Sequence, residues 1–161
     1  MVLFKQVEKI KKDGGVAAIG LGIDSAGRRD LAQQKAMLDG RLQIAQIFAL
    51  KMQNLQKKFV EEVGSTSKAE INEMFSNTTK QLTKTTLNGS QALSLPLILI
   101  DRKDSNKITV KIVVGIDPKT LNSAVLAELK NAGPNLYERF RASQAGKELN
   151  EEMENYEKAG S

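Results

Sequence analysis

The amino-acid sequence predicts an α+β fold: a long helix and a helical hairpin packed on one face of a three-stranded, mainly antiparallel sheet, with a helical C-terminal tail. Three observations carry this expectation. Residues 26–63 contain no Pro, and only Gly27 and Gly40 interrupt a run of good helix formers. Three short apolar segments, Val16–Ile23, Leu93–Ile100 and Ile108–Val114, have the length and punctuation of strands. The last two flank the polar turn 101–106, which joins them as a hairpin. A chain of 161 residues suits one ordinary domain, drawn as 1–133 with a C-terminal helical extension at 134–161.

In chain order, Phe4, Val7 and Ile10 lie at helical spacing ahead of Asp13-Gly14-Gly15 and predict a short helical segment. Val16–Ile23 is too short for a helix and reads as a buried strand. Asp24 or Ser25 offers an N-cap oxygen to the long helix, and Gly64 its left-handed stop. Along that helix Leu38, Leu42, Ala45, Ala49, Met52, Leu55 and Phe59 follow at steps of three and four, with Leu31, Ile44 and Phe48 alongside. This predicts one wide apolar stripe. About 36 helical residues make a rod of about 55 Å, whereas a compact chain of this size is about 40 Å across. The rod should overhang its domain unless it kinks at Gly40, and its stripe then needs a partner helix.

Ser67-Lys-Ala-Glu70 has the capping-box pattern, and Ile71, Phe75, Thr78 and Leu82 continue a second helix to about Thr83. The short turn at Gly64–Ser67 makes the pair an antiparallel hairpin. Pro96 lacks a ladder donor and puts its strand at an edge or a bulge. Ile108, Val110, Ile112 and Val114 alternate with Thr109, Lys111 and Val113, the pattern of a half-buried strand. Asp117 caps the next helix with Pro118 at its first position, and its stripe is Leu121, Val125 and Leu129. Gly133-Pro134 stops it. A last helix runs from about 135 towards 158 on Leu136, Phe140, Leu149, Met153 and Tyr156, with a weak stretch around 142–146.

The chain has no Cys, His or Trp. Disulfides, Cys/His zinc sites, thiol catalysis, Ser–His arrangements and haem ligation by His or Cys are thereby removed. Carboxylates, lysines and hydroxyls remain, so we expect no enzyme, no cofactor and no metal. The formal charge is +5, from 24 basic and 19 acidic residues. Residues 1–60 hold 11 basic and 5 acidic residues, whereas 137–161 hold 4 and 6. With only 4% aromatics and mostly spaced lysines, this charge reads as solvated helix faces and not as a nucleic-acid site. No stretch reaches the ~20 apolar residues of a membrane span. The first eight residues show no signal-peptide core, which leaves a cytoplasmic protein or a mature domain trimmed of a lipid anchor.

Each motif that resembles chemistry has a plainer reading. Gly20-Leu-Gly22 sits where a dinucleotide fingerprint would, but the third glycine is misplaced and no parallel strand follows. Close packing of helix on strand explains it better. Asp101, Asp104 and Asp117 read as turn formers, since the spacing and ligands of a calcium loop are missing. Glu61-Glu62 and Glu148, Glu151, Glu152 and Glu154 read as solvated helix faces. Ser65-Thr-Ser-Lys68 lies in a capping turn.

At Gly14-Gly-Val-Ala-Ala-Ile-Gly-Leu-Gly-Ile-Asp-Ser25, then Ala32, Ala36 and Arg41-Leu-Gln-Ile-Ala45, the chain resembles the LPP-twenty family of bacterial lipoproteins. That family joins a glycine-containing strand to an alanine-punctuated helix, then a hairpin ending near Asp-Pro, here Val110–Pro118. The likeness spans about residues 14–118; a lipobox Cys is absent and the helix over 66–86 is additional. It implies an envelope protein of binding or structural type, in some members a flagellar accessory, with no catalytic residues.

We therefore expect a non-catalytic, self-assembling structural protein of the bacterial cell envelope, in the periplasm or at the outer membrane if a leader has been removed. Its partners would be further copies or an envelope protein, with a membrane reached only through a lipid anchor. The expected contact residues are Leu38, Leu42, Ala45, Phe48, Met52, Leu55 and Phe59 of the long helix, and Leu136, Phe140, Leu149, Met153 and Tyr156 of the tail. The tail's broken stripe and acidic charge also fit docking on a basic neighbour. A cytoplasmic or phage-type structural adaptor starting at a native Met1 is the alternative. An enzyme using carboxylates or lysine is the third reading, and it requires an enclosed pocket holding two perturbed ionisable groups.

Overall fold

In the computed structural model, which describes residues 2–160, the chain runs α1 (Val2–Lys12), β1 (Val16–Ser25), α2 (Arg29–Val63), α3 (Lys68–Leu82), β2 (Gln91–Ala92), β3 (Leu97–Ile100), β4 (Lys107–Ile116), α4 (Pro118–Ala132), α5 (Pro134–Ala142) and α6 (Gln144–Gly160). Met1 and Ser161, the outer limits of the expected domain and extension, lie outside the described residues. The architecture is α+β with an antiparallel sheet.

β4 is the spine of that sheet. β1 lies antiparallel along one side, from Val16 opposite Ile116 to Ser25 opposite Lys107. On the other side Gln91 and Ala92 face Gly115 and Val114, and Leu97–Ile100 face Lys111–Ile108. Between these two stretches residues 93–96 oppose only 112 and 113. The expected third strand is thus one row broken into β2 and β3 by a bulge that holds Pro96, the device expected of a proline in a ladder. The Leu93 amide still donates to the Val113 carbonyl at 2.8 Å, and the Ser94 hydroxyl accepts from the Val113 amide at 3.0 Å.

α2 crosses β1 with no side chains between the two backbones. A Cβ on Gly22 would overlap the Ala32 carbonyl oxygen, and one on Gly20 the Ala36 carbonyl oxygen. Two strand residues advance about 6.6 Å and four helix residues about 6.0 Å, so alternate glycines stay in step with Ala32 and Ala36. Gly40 carries the contact on to Val114. The glycines are packing glycines, as the sequence suggests.

Beyond the sheet, α2 enters a helical layer. Phe59, Phe75 and Phe140 bring α2, α3 and α5 together, with Phe59–Phe140 centroids 5.4 Å apart at 88° and Phe75–Phe140 at 5.7 Å and 73°. Such edge-to-face contacts favour the ring quadrupoles. Sheet layer and helical layer share one continuous core, and Leu136, Phe140, Ala145 and Leu149 belong to it. The segment from Leu136 to Leu149 is therefore part of the fold's centre and not an extension, whereas residues 150–159 are half-buried or exposed.

Several local expectations are corrected. α1 lies on the second face of the sheet, where Val7 packs with Ala17 and Val113, so the helices do not all occupy one face. α2 begins after Arg28, with no side-chain cap. Asp24 instead ends β1, where its carboxylate accepts from the Ser25 amide at 2.7 Å and from Lys35 Nζ at 2.8 Å. Ser67 precedes α3 but makes no capping bond. Gly64 ends α2 at φ +96°, a conformation that favours glycine, and a short 3-10 turn, Ser65–Ser67, closes the hairpin. The final helix is two helices. At Ser143 the hydroxyl accepts from the Gly146 amide at 3.2 Å and donates to the Phe140 carbonyl, turning the chain at the weak stretch of the stripe. Asp117 caps α4 as expected, accepting from the Thr120 amide at 2.8 Å.

Candidate interaction surface

The expected contact stripe divides sharply between core and solvent. Phe48, Phe59 and Phe140 are fully buried, and Met52, Leu55, Leu136 and Leu149 are buried with them. Ala45, Met153 and Tyr156 are half-buried. Only Leu38 and Leu42 are open, at 59% and 58% exposure. The core residues of α2 up to Met52 are Ala32, Ala36, Gly40, Ile44, Phe48 and Met52, all at steps of four. Each such step turns about 40° around the helix, so the buried line spirals as its partner changes from sheet to helices. The expected stripe runs straighter; it starts on the solvent side at Leu38 and enters the core by Met52. Buried positions extend from Ala32 to Phe59, so the 35-residue rod, about 52 Å long, is covered along its length by its own chain. Phe48, Met52, Leu55, Phe59, Leu136, Phe140 and Leu149 are thus withdrawn as contact residues.

Apolar side chains are uncovered elsewhere. In β3, Leu97, Ile98, Leu99 and Ile100 are exposed at 45%, 37%, 42% and 63%. A strand shows its residues alternately to two faces, so β3 is bare on both. Its far side is also the free edge of the sheet, with nothing hydrogen-bonded to it among the described residues. Leu95, in the bulge before it, is 87% exposed. On β1, Leu21 and Ile23 point to the face that α1 shields only at its other end. Register sets Leu21 beside Lys111 and Leu97, and Ile23 beside Thr109 and Leu99.

The ionisable groups hold elements together. Lys51 Nζ donates to the Gly14 carbonyl at 3.0 Å and to Glu152 Oε2 at 2.9 Å, and it lies 3.4 Å from Asn122 Oδ1. The fully buried Asn122 donates in turn to Glu152 at 2.9 Å and to the Leu149 carbonyl at 3.2 Å. This network ties α2, α4, α6 and the α1–β1 turn. Lys58 pairs with Glu148 at 2.9 Å, and Glu62 accepts from the Gln144 amide at 3.0 Å. Asp101 and Asp104 accept from amides two residues on, as turn formers do. The Lys35 hydrogen bond, then the Ser25 amide, hold the Asp24 carboxyl below its usual range. Glu157 raises Lys119, 2.8 Å away. The two groups lie on different elements, Asp24 in β1 and Lys119 in α4.

A groove of about 420 Å³ runs between β2, α1, α4 and α6, with Asp13, Ser90, Asp117, Thr120 and Tyr156 on its walls. Asp117 is already committed to its cap. Among the described residues no group of three or more acidic side chains is placed to hold a metal ion, and no helix is long and apolar enough to cross a membrane.

No family model, curated protein or solved structure matches this chain. The surface must be read from its own residues. Sequence reasoning missed Leu97–Ile100, Leu21 and Ile23 because strand periodicity reports which residues share a face and not whether that face is covered. One signal was present. Four consecutive apolar residues directly after a strand-breaking Pro fit an edge strand.

Proposed function

We propose that this protein is a non-catalytic assembly protein that joins copies of itself through the free edge of β3. The observation that carries this reading is a strand whose four apolar side chains are 37–63% exposed and whose outer backbone groups face solvent. Monomeric proteins blunt such edges with charge, proline or bulges, because an open apolar edge templates pairing with another chain. Here Pro96 and its bulge interrupt only the start, and residues 90–100 carry no charge. Two copies of β3 can therefore meet antiparallel without like charges opposed. When Ile98 lies opposite Ile98 of the second copy, the helical layers of both copies fall on one side of a continuous sheet. The exposed Leu38 and Leu42 belong to the α2 face that looks away from the sheet and are not needed for this contact.

The resemblance of residues 14–118 to the LPP-twenty lipoproteins favours a bacterial envelope setting for that assembly. It rests on Gly20 and Gly22 against Ala32 and Ala36, and on a hairpin that ends at Asp117-Pro118.

Light scattering and sedimentation equilibrium over a range of concentrations test the proposal. The full chain should give a mass that is a multiple of 17.7 kDa. The variant Leu99→Asn/Ile100→Asn should return to the single-chain mass with an unchanged circular dichroism spectrum. A wild-type chain that stays at 17.7 kDa at the highest concentration reached would refute it.

A further inference from the structure

The side of the molecule that carries α1 is chemically unlike the rest. On α1, Lys5, Lys9, Lys11 and Lys12 stand with Glu8, Asp13 follows the helix, and Lys11 and Lys12 border a groove shared with Asp13 and Glu152; the outward side of β4 adds Lys107 and Lys111. Six lysines against Glu8 and Asp13 leave a surplus of +4, most of the chain's formal net charge of +5. None of these six lysines is in an ion pair among the described residues. Leu3, Val7 and Ile10 hold α1 to the sheet, so Lys5, Lys9 and Lys12, at steps of four and three, point away from the protein. Val2 and Phe4 at the start of this helix are 79% and 59% exposed. Leu21 and Ile23 lie uncovered on the same side of the sheet.

We propose that this face docks on an anionic phospholipid surface. Its chemistry selects that partner over the alternatives. Ammonium groups beside exposed apolar side chains are satisfied together at a bilayer interface, where phosphate and acyl boundary are adjacent. A nucleic acid would satisfy the charge but would leave Val2, Leu21 and Ile23 in water, and the outward positions here carry no Arg and only one aromatic, Phe4. A second copy on this face would bring like charge against like charge. This surface faces along the normal of the sheet, whereas β3 offers its edge in the plane of the sheet, so both contacts are compatible. The inference stands on the charge and geometry of α1 and not on self-association.

Co-sedimentation of the full chain with vesicles tests it. Binding to vesicles of phosphatidylglycerol mixed with phosphatidylcholine should be clear at low salt, fall steeply as salt rises, and be absent with pure phosphatidylcholine. A lysine near such a surface is worth about fivefold in affinity. The exposed triple variant Lys5→Gln/Lys9→Gln/Lys12→Gln should therefore bind about 100-fold more weakly. Lys57→Gln/Lys80→Gln/Lys84→Gln, equally exposed but on other faces, should bind like the wild type. The uncharged edge variant Leu99→Asn/Ile100→Asn should keep salt-sensitive binding whatever its mass. Equal binding to neutral vesicles, an equal loss in the control triple, loss of salt-sensitive binding in the edge variant, or tighter binding to an oligonucleotide than to anionic vesicles would each overturn the proposal.

Discussion

Replacing Gly20 by Ala sets a methyl group against main chain that cannot turn aside. The added carbon would overlap the Ala36 carbonyl oxygen and lie 2.8 Å from the Gly40 nitrogen. Nonbonded carbons need about 3.5 Å, so α2 must lift from β1 by on the order of 1 Å. That gap would run along Ala32, Ala36 and Ile44, which are all fully buried. A gap of this size forfeits about a quarter to a half of each dispersion contact. Overpacking of a core costs about 1–3 kcal/mol, and with backbone as the obstacle we expect the upper end, about 3 kcal/mol. For a chain of this length that lowers the thermal midpoint by about 6–12 °C. Thermal and urea unfolding followed by far-UV circular dichroism measure the effect. Gly27→Ala is the control: no atom lies within 4 Å of its added Cβ, and its φ is not positive. It should be neutral or stabilise by about 0.4–1 kcal/mol through the unfolded chain. Ala36→Gly should not rescue Gly20→Ala, because the obstacle is a carbonyl and not a side chain. A loss below about 1 kcal/mol, or rescue by Ala36→Gly, would refute the reasoning.

Phe140→Ala removes the ring that meets both Phe59 and Phe75 edge-on, and should cost about 3–5 kcal/mol by urea unfolding. A cost near that of a surface substitution would show that α5 is peripheral to the core. Lys51→Met keeps the apolar stem but leaves the Gly14 carbonyl without its side-chain donor and Glu152 without its cation, with only the Asn122 amide still donating to it, a loss of about 1–3 kcal/mol that Glu152→Gln in the same chain should partly relieve. A double-mutant cycle reads that coupling directly. The depressed Asp24 carboxyl stabilises the fold above its unfolded value of 3.8, and the gain disappears as pH falls through the lower folded value. Urea midpoints of wild type and Asp24→Asn should accordingly differ at neutral pH and converge below pH 3.8. A gap that does not change with pH would remove Lys35 and the Ser25 amide as its cause.

The self-association surface was only half legible in the sequence. Pro96 marks the row 93–100 as lying at an edge or carrying a bulge, and the structure has both. That Leu97–Ile100 are bare on both faces is not a local property, because a run of Leu and Ile has the same composition under a helix as beside one. The long helix shows the converse. Leu38 and Phe48 satisfy the same apolar periodicity, yet one is exposed and the other fully buried.

At several element boundaries a few neighbouring residues hold the physical cause, and there the sequence by itself determined the structure, although the local caps expected at Asp24 or Ser25 and at Ser67 do not form. Asp117-Pro118 starts α4, Gly133-Pro134 divides α4 from α5, Gly64 ends α2, and Gly20 and Gly22 leave room for a helix backbone. Tertiary structure alone decided what each face meets. It turned the buried line of α2 about 40° per step as sheet gave way to helices, drew Asp24 from cap to strand end beside Lys35, and brought α5 and α6 into the core. It also set α1's lysines outward beside an uncovered half-sheet. Periodicity records which side chains share a face; only the packed chain supplies, or withholds, the surface opposite.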